Sequence, residues 1–386
     1  MTIETRTAAH RTARARYIMV GGFLGAGKTT TVARMAEYFS RKGLKVGLIT
    51  NDQGSELVDT TFLRSRGFAT EEIGGGCFCC RFNSLMEAAG RLSASDHPDL
   101  FIAEPVGSCT DLLATVSYPL RRMYGDDFVV APLSVVVDPI RASRVLGLQA
   151  QADTRFSEKV IYIYRKQLEE ADLIFINKSD LLSEAELLAL KDKLTSSFPQ
   201  AQIRAGSARS GLNMAPWFDQ LISENQRARK VMEVDYSTYA DGEALLGWLN
   251  CTVKISSPKV FDANLVMTSL AKTIQQLLLA KRAEIAHLKM TLSPEDGLPE
   301  LAIINLVRND VIPELSQELS EPIDRAELIL NLRAEASPET LHNAVNHALS
   351  ELSDKNLNLL ARLEHIEHFR PGKPSPTHDE RLQPSF

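Results

Sequence analysis

Cysteine is scarce in this chain of 386 residues, and three of its five cysteines crowd together at 77, 79 and 80. That distribution excludes a disulfide framework and fits reduced thiols in a cytoplasmic protein. Aromatic residues make up only 6%, and the net charge is −6, so neither a nucleic acid nor an anionic membrane is expected as a partner. Long hydrophobic runs are missing: the longest, Phe128 to Val137, is interrupted by Pro132 and Ser134, well short of a membrane span. The first sixteen residues are Thr- and Arg-rich without an apolar stretch, which reads as a flexible tail and not as a secretory signal. Histidine tracts are absent too; His365, His368 and His378 are scattered near the end and read as solvated residues.

What the chain does have is Gly22-Phe23-Leu24-Gly25-Ala26-Gly27-Lys28-Thr29-Thr30. This fits the phosphate-loop pattern G-x-x-x-x-G-K-[ST], with the apolar strand Tyr17 to Val20 before it and an amphipathic helix from Thr30 to Phe39 after it. Glycines let the backbone N–H groups curl around phosphates, and the helix N-terminus adds a favourable dipole. Lys28 is expected to bridge the β- and γ-phosphates and the Thr29 hydroxyl to ligate Mg²⁺.

Between Tyr17 and about Ser223, apolar strands alternate with helical patterns: Lys45–Thr50, Leu100–Ala103, Pro132–Val137, Leu173–Asn177 and Gln202–Arg204 read as strands. Helices are expected at Ser157–Ala171, Glu184–Ser197 and Leu212–Ser223. The alternation predicts an α/β fold, a mostly parallel sheet of the P-loop NTPase type, with ligands at the carboxyl ends of its strands. The domain spans 17–230 and ends in a polar linker that begins near Ser223. A smaller α+β domain is expected over 236–355, with a helix at 262–283 and another from Ser337, whose Ser-Pro-Glu opening suits a helix start. Residues 356–386 read as one more helix, Asp354 to Phe369, followed by a disordered Pro-rich tail.

Ile176-Asn177-Lys178-Ser179-Asp180 ends a strand with an N-K-x-D element. Asp180 can accept from the N1–H and 2-amino donors of guanine, which adenine lacks, so GTP is the expected nucleotide. Asn177 and Lys178 would brace the phosphate loop around the base, and Ser207-Ala208 fits a second base-contacting loop. Glu104, in Ala103-Glu104-Pro105-Val106-Gly107, is a strand-terminal acid suited to hold Mg²⁺ through water, with the Gly107 N–H sensing the γ-phosphate. Asp52, also at a strand end, is a second acid for Mg²⁺ or for the attacking water. Asp138 reads as a helix cap. No arginine finger can be placed, so hydrolysis is expected to be slow alone.

Gly74-Gly75-Gly76-Cys77-Phe78-Cys79-Cys80 is the second informative element. Three thiols bind Zn²⁺ or another transition metal; in an extended chain Cys80 points away from Cys77 and Cys79, so chelation needs a bend that the glycines can supply. Two or three thiolates completed by an outside ligand suit a carrier better than a closed structural site. Cys109 and Cys251 read as core residues, and His287 as a packed one.

Taken in order, GFLGAGKTT, ITNDQG, GGCFCC, AEPVG and NKSD resemble the CobW/HypB/UreG family of metallochaperone GTPases, nearest its CobW-like branch. The resemblance covers about 17–225. It implies slow GTP hydrolysis coupled to delivery of a transition metal to a client metalloenzyme or cofactor-assembly protein, and relatives that often form homodimers. It carries Cys77, Cys79 and Cys80 over as the metal motif and Glu104 as the acid of an E-x-x-G element, while Asp52 stands where many relatives have Glu. The second domain departs from the family pattern. Two other readings remain: a GTP-gated activator whose cysteines are structural, and a P-loop kinase, against which N-K-x-D argues.

Overall fold

The computed structural model describes residues 14–52, 58–150, 155–227, 229–295, 300–354 and 359–381. Of the tail expected over 1–16, residues 1–13 lie outside this set, as do Gln53 and Gly54, whereas Ala15 and Arg16 belong to the first strand.

The amino-terminal half runs β1 (Ala15–Gly21), α1 (Lys28–Arg41), β2 (Val46–Asn51), α2 (Val58–Ser65), β3 (Thr70–Ile73), α3 (Phe82–Ser95) and β4 (Leu100–Glu104). It continues through α4 (Tyr118–Met123), β5 (Phe128–Val130), β6 (Ser134–Val137), α5 (Pro139–Val145), α6 (Glu158–Glu169) and β7 (Leu173–Ile176). Then come α7 (Glu184–Ser197), β8 (Gln202–Ala205), α8 (Met214–Ser223) and α9 (Tyr236–Leu245). The strands pair in parallel in the order β3-β2-β4-β1-β6-β7-β8, with β5 also beside β1. β4 and β6 are buried at every position, as expected of strands covered by helices on both faces. The chain turns from one half of the sheet to the other at β1, which opens a crevice at the carboxyl ends of β1, β4 and β6.

A second sheet follows: β9 (Leu246–Phe261), α10 (Ala263–Ala280), β10 (Glu284–Pro294), β11 (Ala302–Leu306), β12 (Glu314–Gln317), β13 (Ile323–Glu335), α11 (Pro338–Asp354) and β14 (Leu360–Phe369). It is antiparallel in the order β12-β11-β10-β13-β9-β14. Side chains alternate across it. Leu288, Met290, Leu330, Leu332, Leu249 and Cys251 enter a core with Val266, Leu270, Ile274, Leu341 and Val345 of α10 and α11. His287, Lys289, Asn305, Asn331, Arg333 and Trp248 face the opposite way, into the crevice of the first sheet.

Two expectations are corrected. Residues 360–369, part of the helix expected from Asp354 to Phe369, form β14 on the edge of β9. A long edge strand needs a partner for its unpaired backbone groups, and this requirement overrides the helical spacing. The tail after Pro371 is ordered through Arg381, which pairs with Asp111, while the Thr377 N–H donates to Cys79 O at 2.8 Å. Moreover, α9 packs on α6: a Cβ at Gly242 would stand 2.4 Å from Lys159 O.

Candidate functional site

A cavity of about 600 Å³ lies in the crevice, between the phosphate loop and the polar face of the second sheet. That size suits a nucleotide-scale ligand. Its floor is the loop between β1 and α1, where Gly22 and Gly27 take φ of +132° and +90°. Neither admits a side chain, since a Cβ would stand 2.2 Å from Val136 O and 2.4 Å from Asn177 Nδ2 respectively. Lys28, Thr29 and Thr30 begin α1, with the Thr31 N–H closing on Gly27 O at 3.0 Å. Burial lowers the Lys28 pKa, and the Glu104 charge works against that shift.

One end of the cavity is built from β7. Asn177 donates from Nδ2 to Ala26 O at 2.9 Å and accepts at Oδ1 from the Ala208 N–H at 2.8 Å, joining two loops through one amide. Lys178, with φ +52°, sends Nζ to Gly25 O at 2.9 Å and to Asp138 at 2.9 Å. Asp180 is exposed on the cavity rim, beside Ser207 and Ala208. Asp138 caps α5 by accepting from the Arg141 N–H at 3.0 Å and also pairs with Arg308 at 2.8 Å. Burial would raise its pKa, but Lys178, Arg308 and Arg141 outweigh that and hold it well below the usual carboxylate range.

At the phosphate end, the Thr29 hydroxyl lies 3.0 Å from Glu104 Oε1 and 2.7 Å from Asp59 Oδ1. Burial, with the nearby Asp59 charge, pushes Glu104 up to about 7. Its second oxygen is buried with no hydrogen-bond partner, so a hydroxyl and two carboxylates converge where a hard divalent cation fits. Sequence reading overlooked Asp59, which α2 delivers from beyond the residues outside the described set. Asp52, in contrast, turns toward Arg333, whose Nη2 lies 3.1 Å from its carboxylate. The structure thus brings Thr29 and Glu104 together and sets Asp52 apart from them, on the cavity lining.

The other side of the cavity went unread in the sequence. Lys289 of β10 reaches across to Thr29 Oγ1 at 3.2 Å and pairs with Asp59. Arg141 donates to the carbonyls of Leu24 at 2.5 Å and of Val307. Gly25 meets the second sheet directly, since a Cβ there would stand 2.9 Å from Ala286 O. His287 lies 3.3 Å from Asn305 and is held neutral by burial and by Lys289, Lys178 and Lys28.

The thiols lie beside this cavity. Gly75 and Gly76, at φ +72° and +150°, lead into a turn in which the Cys80 and Arg81 N–H groups return to Cys77 O. This turn supplies the bend that gathers the three sulfurs. Cys77 Sγ lies 2.7 Å from Cys79 Sγ and 3.1 Å from Cys80 Sγ, and the last two are 3.7 Å apart. A tetrahedral site with Zn–S of about 2.3 Å would separate sulfurs by ~3.8 Å, so a zinc ion enters with an opening of about 1 Å. Among the described residues, these three are the group whose ligand atoms all lie within 4.8 Å of one another. Contacts from Cys109, Cys79 and Cys80 hold the Cys77 pKa well below the ordinary thiol value. Cys109, read as a core residue, is buried in the hydrophobic core that also takes in Cys77 and Cys79.

A phosphate loop at the turn of a parallel sheet, with an N-K-x-D loop bracing it, makes the first half a P-loop nucleotide-binding domain. Residues 16–204 match the nucleotide-binding domain of the CobW/HypB/UreG family, so the first half of the chain carries a domain of that family. It is similar to the zinc chaperone CobW of Sinorhizobium sp, 30% identical over 198 residues, which are 46% of this chain and 54% of that relative. The chain thus spans about half the length of that protein. With the zinc chaperone YeiR of Escherichia coli (strain K12) it shares 26% identity over 362 residues, 86% of this chain and 97% of the relative. Among solved structures, the hydrogenase maturation factor HypB from Archaeoglobus fulgidus aligns with a TM-score of 0.38 and 23% identity over 54% of this chain and 89% of that one. No helix of the described residues is long and apolar enough to cross a membrane.

Proposed function

We propose that this chain binds and hydrolyses GTP, and uses the nucleotide state to load and release a transition metal, zinc in the first instance, for a client metalloenzyme or cofactor-assembly protein. In this reading the loop from Gly22 to Thr30 with Lys28 holds the triphosphate, and Asp180, Ser207 and Ala208 take the guanine. Mg²⁺ would be held by Thr29 with Glu104 and Asp59, and when bound it neutralises charge on the β- and γ-phosphate oxygens. Lys289 stands where an added cation stabilises charge developing on the γ-phosphate, a part the second sheet would supply within the chain. Asp52, tied to Arg333, is assigned to orienting that side of the cavity.

One observation carries the coupling. Asn51, at the end of β2 and on the cavity lining, donates from Nδ2 to Ile73 O at 2.8 Å and to Gly76 O at 2.6 Å. The residue beside the nucleotide therefore holds the turn that presents the thiols. The names of two relatives, both zinc chaperones, support zinc as cargo. The test is Zn²⁺ affinity measured with GDP and with a non-hydrolysable GTP analogue. A tenfold difference corresponds to about 1.4 kcal/mol of coupling, and equal affinities would end the proposal.

A further inference from the structure

We propose that residues 374–381 are an autoinhibitory strap: seated, they close the cysteine turn to an incoming ligand, and their release opens it. What the strap guards rests on reading that turn as a metal carrier. The segment reads Pro374-Ser375-Pro376-Thr377, so a backbone N–H is offered only at every second position. Both of these N–H groups go to the cysteine turn, Ser375 to Cys80 Sγ at 3.2 Å and Thr377 to Cys79 O at 2.8 Å. The Thr377 hydroxyl adds Cys80 O at 3.2 Å, and His378 packs edge-on against Phe82 of α3, ring centroids 4.7 Å apart. Cys77 and Cys79 are 3% and 1% exposed, whereas Cys80 is only partly buried. Cys80 is thus the sulfur that an outside ligand meets first, and the strap lies on it.

The far end of the strap is latched to the first domain. The Glu380 N–H goes to Ala114 O at 3.0 Å, and its carboxylate accepts from Arg122 of α4 at 2.6 Å. Arg381 pairs with Asp111, which is buried at φ +69° and also accepts from the Tyr236 hydroxyl at 2.6 Å. Asp111 lies four residues beyond Gly107, and a Cβ at Gly107 would stand 2.7 Å from Leu24 Cδ2 of the phosphate loop. Gln167 of α6 donates to Gly107 O at 2.9 Å and Cys109 O at 2.8 Å, tying the intervening backbone into one unit. The latch therefore sits on the segment that abuts the phosphate loop, and a shift of that segment carries Asp111 away from Arg381. Two opposing features suit the strap to opening and closing. Prolines at 371, 374 and 376 restrict the released segment, so little chain entropy is lost when it seats again. Against seating, His378 Nε2 is buried without a hydrogen-bond partner, and the Arg122 side chain of the Glu380 pair is largely in solvent.

The experiment labels the full chain, reduced and metal-free, with N-ethylmaleimide and follows Cys80 by peptide mass spectrometry, Cys251 of the second core serving as reference. Labelling follows the fraction of chains whose strap is open. Arg381→Ala should raise the Cys80 rate about fivefold, the scale of one partly exposed ion pair. Thr377→Pro, which removes the N–H given to Cys79 O, should act in the same direction. Cys251 should stay unlabelled; where Arg381→Ala exposes it, Thr377→Pro decides. Equal Cys80 rates in the unaltered chain and both variants overturn the strap. GDP and a non-hydrolysable GTP analogue should give different Cys80 rates in the unaltered chain and equal rates in Arg381→Ala; equal rates in both chains overturn the latch. Loaded with Zn²⁺, both variants should pass the metal to a chelator faster than the unaltered chain, and unchanged transfer despite faster labelling overturns the autoinhibition. Failure of the unaltered chain to bind Zn²⁺ would instead sink the metal-carrier reading, with the labelling of the metal-free chain still testing the strap.

Discussion

The two walls of the nucleotide cavity are made in opposite ways. One is a contiguous loop whose backbone shapes the site, with glycines at Gly22 and Gly27 in conformations side chains resist. The other is one face of an antiparallel sheet, where the side chains of His287, Lys289, Asn305, Asn331 and Arg333 arrive from three separate strands. The first wall is closed by local main-chain hydrogen bonds, Ala26 N–H to Phe23 O and Thr31 N–H to Gly27 O, and braced by the side chains of Asn177, Lys178 and Arg141. The second depends on sheet register, since a slip by one residue would turn Lys289 into the core and Leu288 into the cavity. A site so divided couples its ligand to the packing of one half of the molecule on the other.

The largest effect should come from the loop wall. Lys28→Ala removes the buried ammonium that faces the phosphates, and GTP hydrolysis should fall by about 10²–10³ in kcat/KM; a near-normal rate would show that the loop does not hold the triphosphate. Next, Asp180→Asn should cost about 10² in discrimination between GTP and ATP, read by competition binding. The second wall is tested by Lys289→Ala, expected to lower kcat about tenfold while GDP affinity holds, because its Nζ lies at the Thr29 end of the cavity. An unchanged kcat would reduce the second sheet to a cover.

The seam between the walls is tested by Arg308→Met. Asp138 then keeps Lys178 but loses the partner from the second sheet, a cost of about 2 kcal/mol in chemical denaturation. Asp138 titrates below the usual range in the folded chain, so its contribution is present above its unfolded pKa of 3.8 and is lost as pH falls below that. The smallest effect concerns Glu170, which accepts from Thr110 Oγ1 at 3.1 Å and the Leu113 N–H at 3.2 Å. Burial raises it from 4.5 to about 8, so the fold binds a proton that the unfolded chain has released and loses stability as pH rises through that window. Glu170→Gln should flatten the slope, so that the variant gains stability relative to the parent as pH rises from 5 to 8; parallel profiles would count against it.

The phosphate loop, N-K-x-D and the cysteine turn could be read directly from the chain because each is a short segment whose chemistry depends on neighbours in sequence. Glycine spacing fixes a loop wherever it occurs, and thiols one to three residues apart are gathered by a single turn. The α/β alternation of the first half was legible for the same reason, since a buried parallel strand is a local apolar run. Lys289, Arg333 and Asp59 carry no such mark. A lysine in an alternating strand looks like any solvated residue until pairing decides which face is covered, and β14 changed from helix to strand because β9 required a partner. The sequence by itself determined a nucleotide and a set of thiols. That Lys289 of a second sheet reaches Thr29 and Asp59 emerges only from the tertiary structure, because it depends on contacts between segments far apart in the chain.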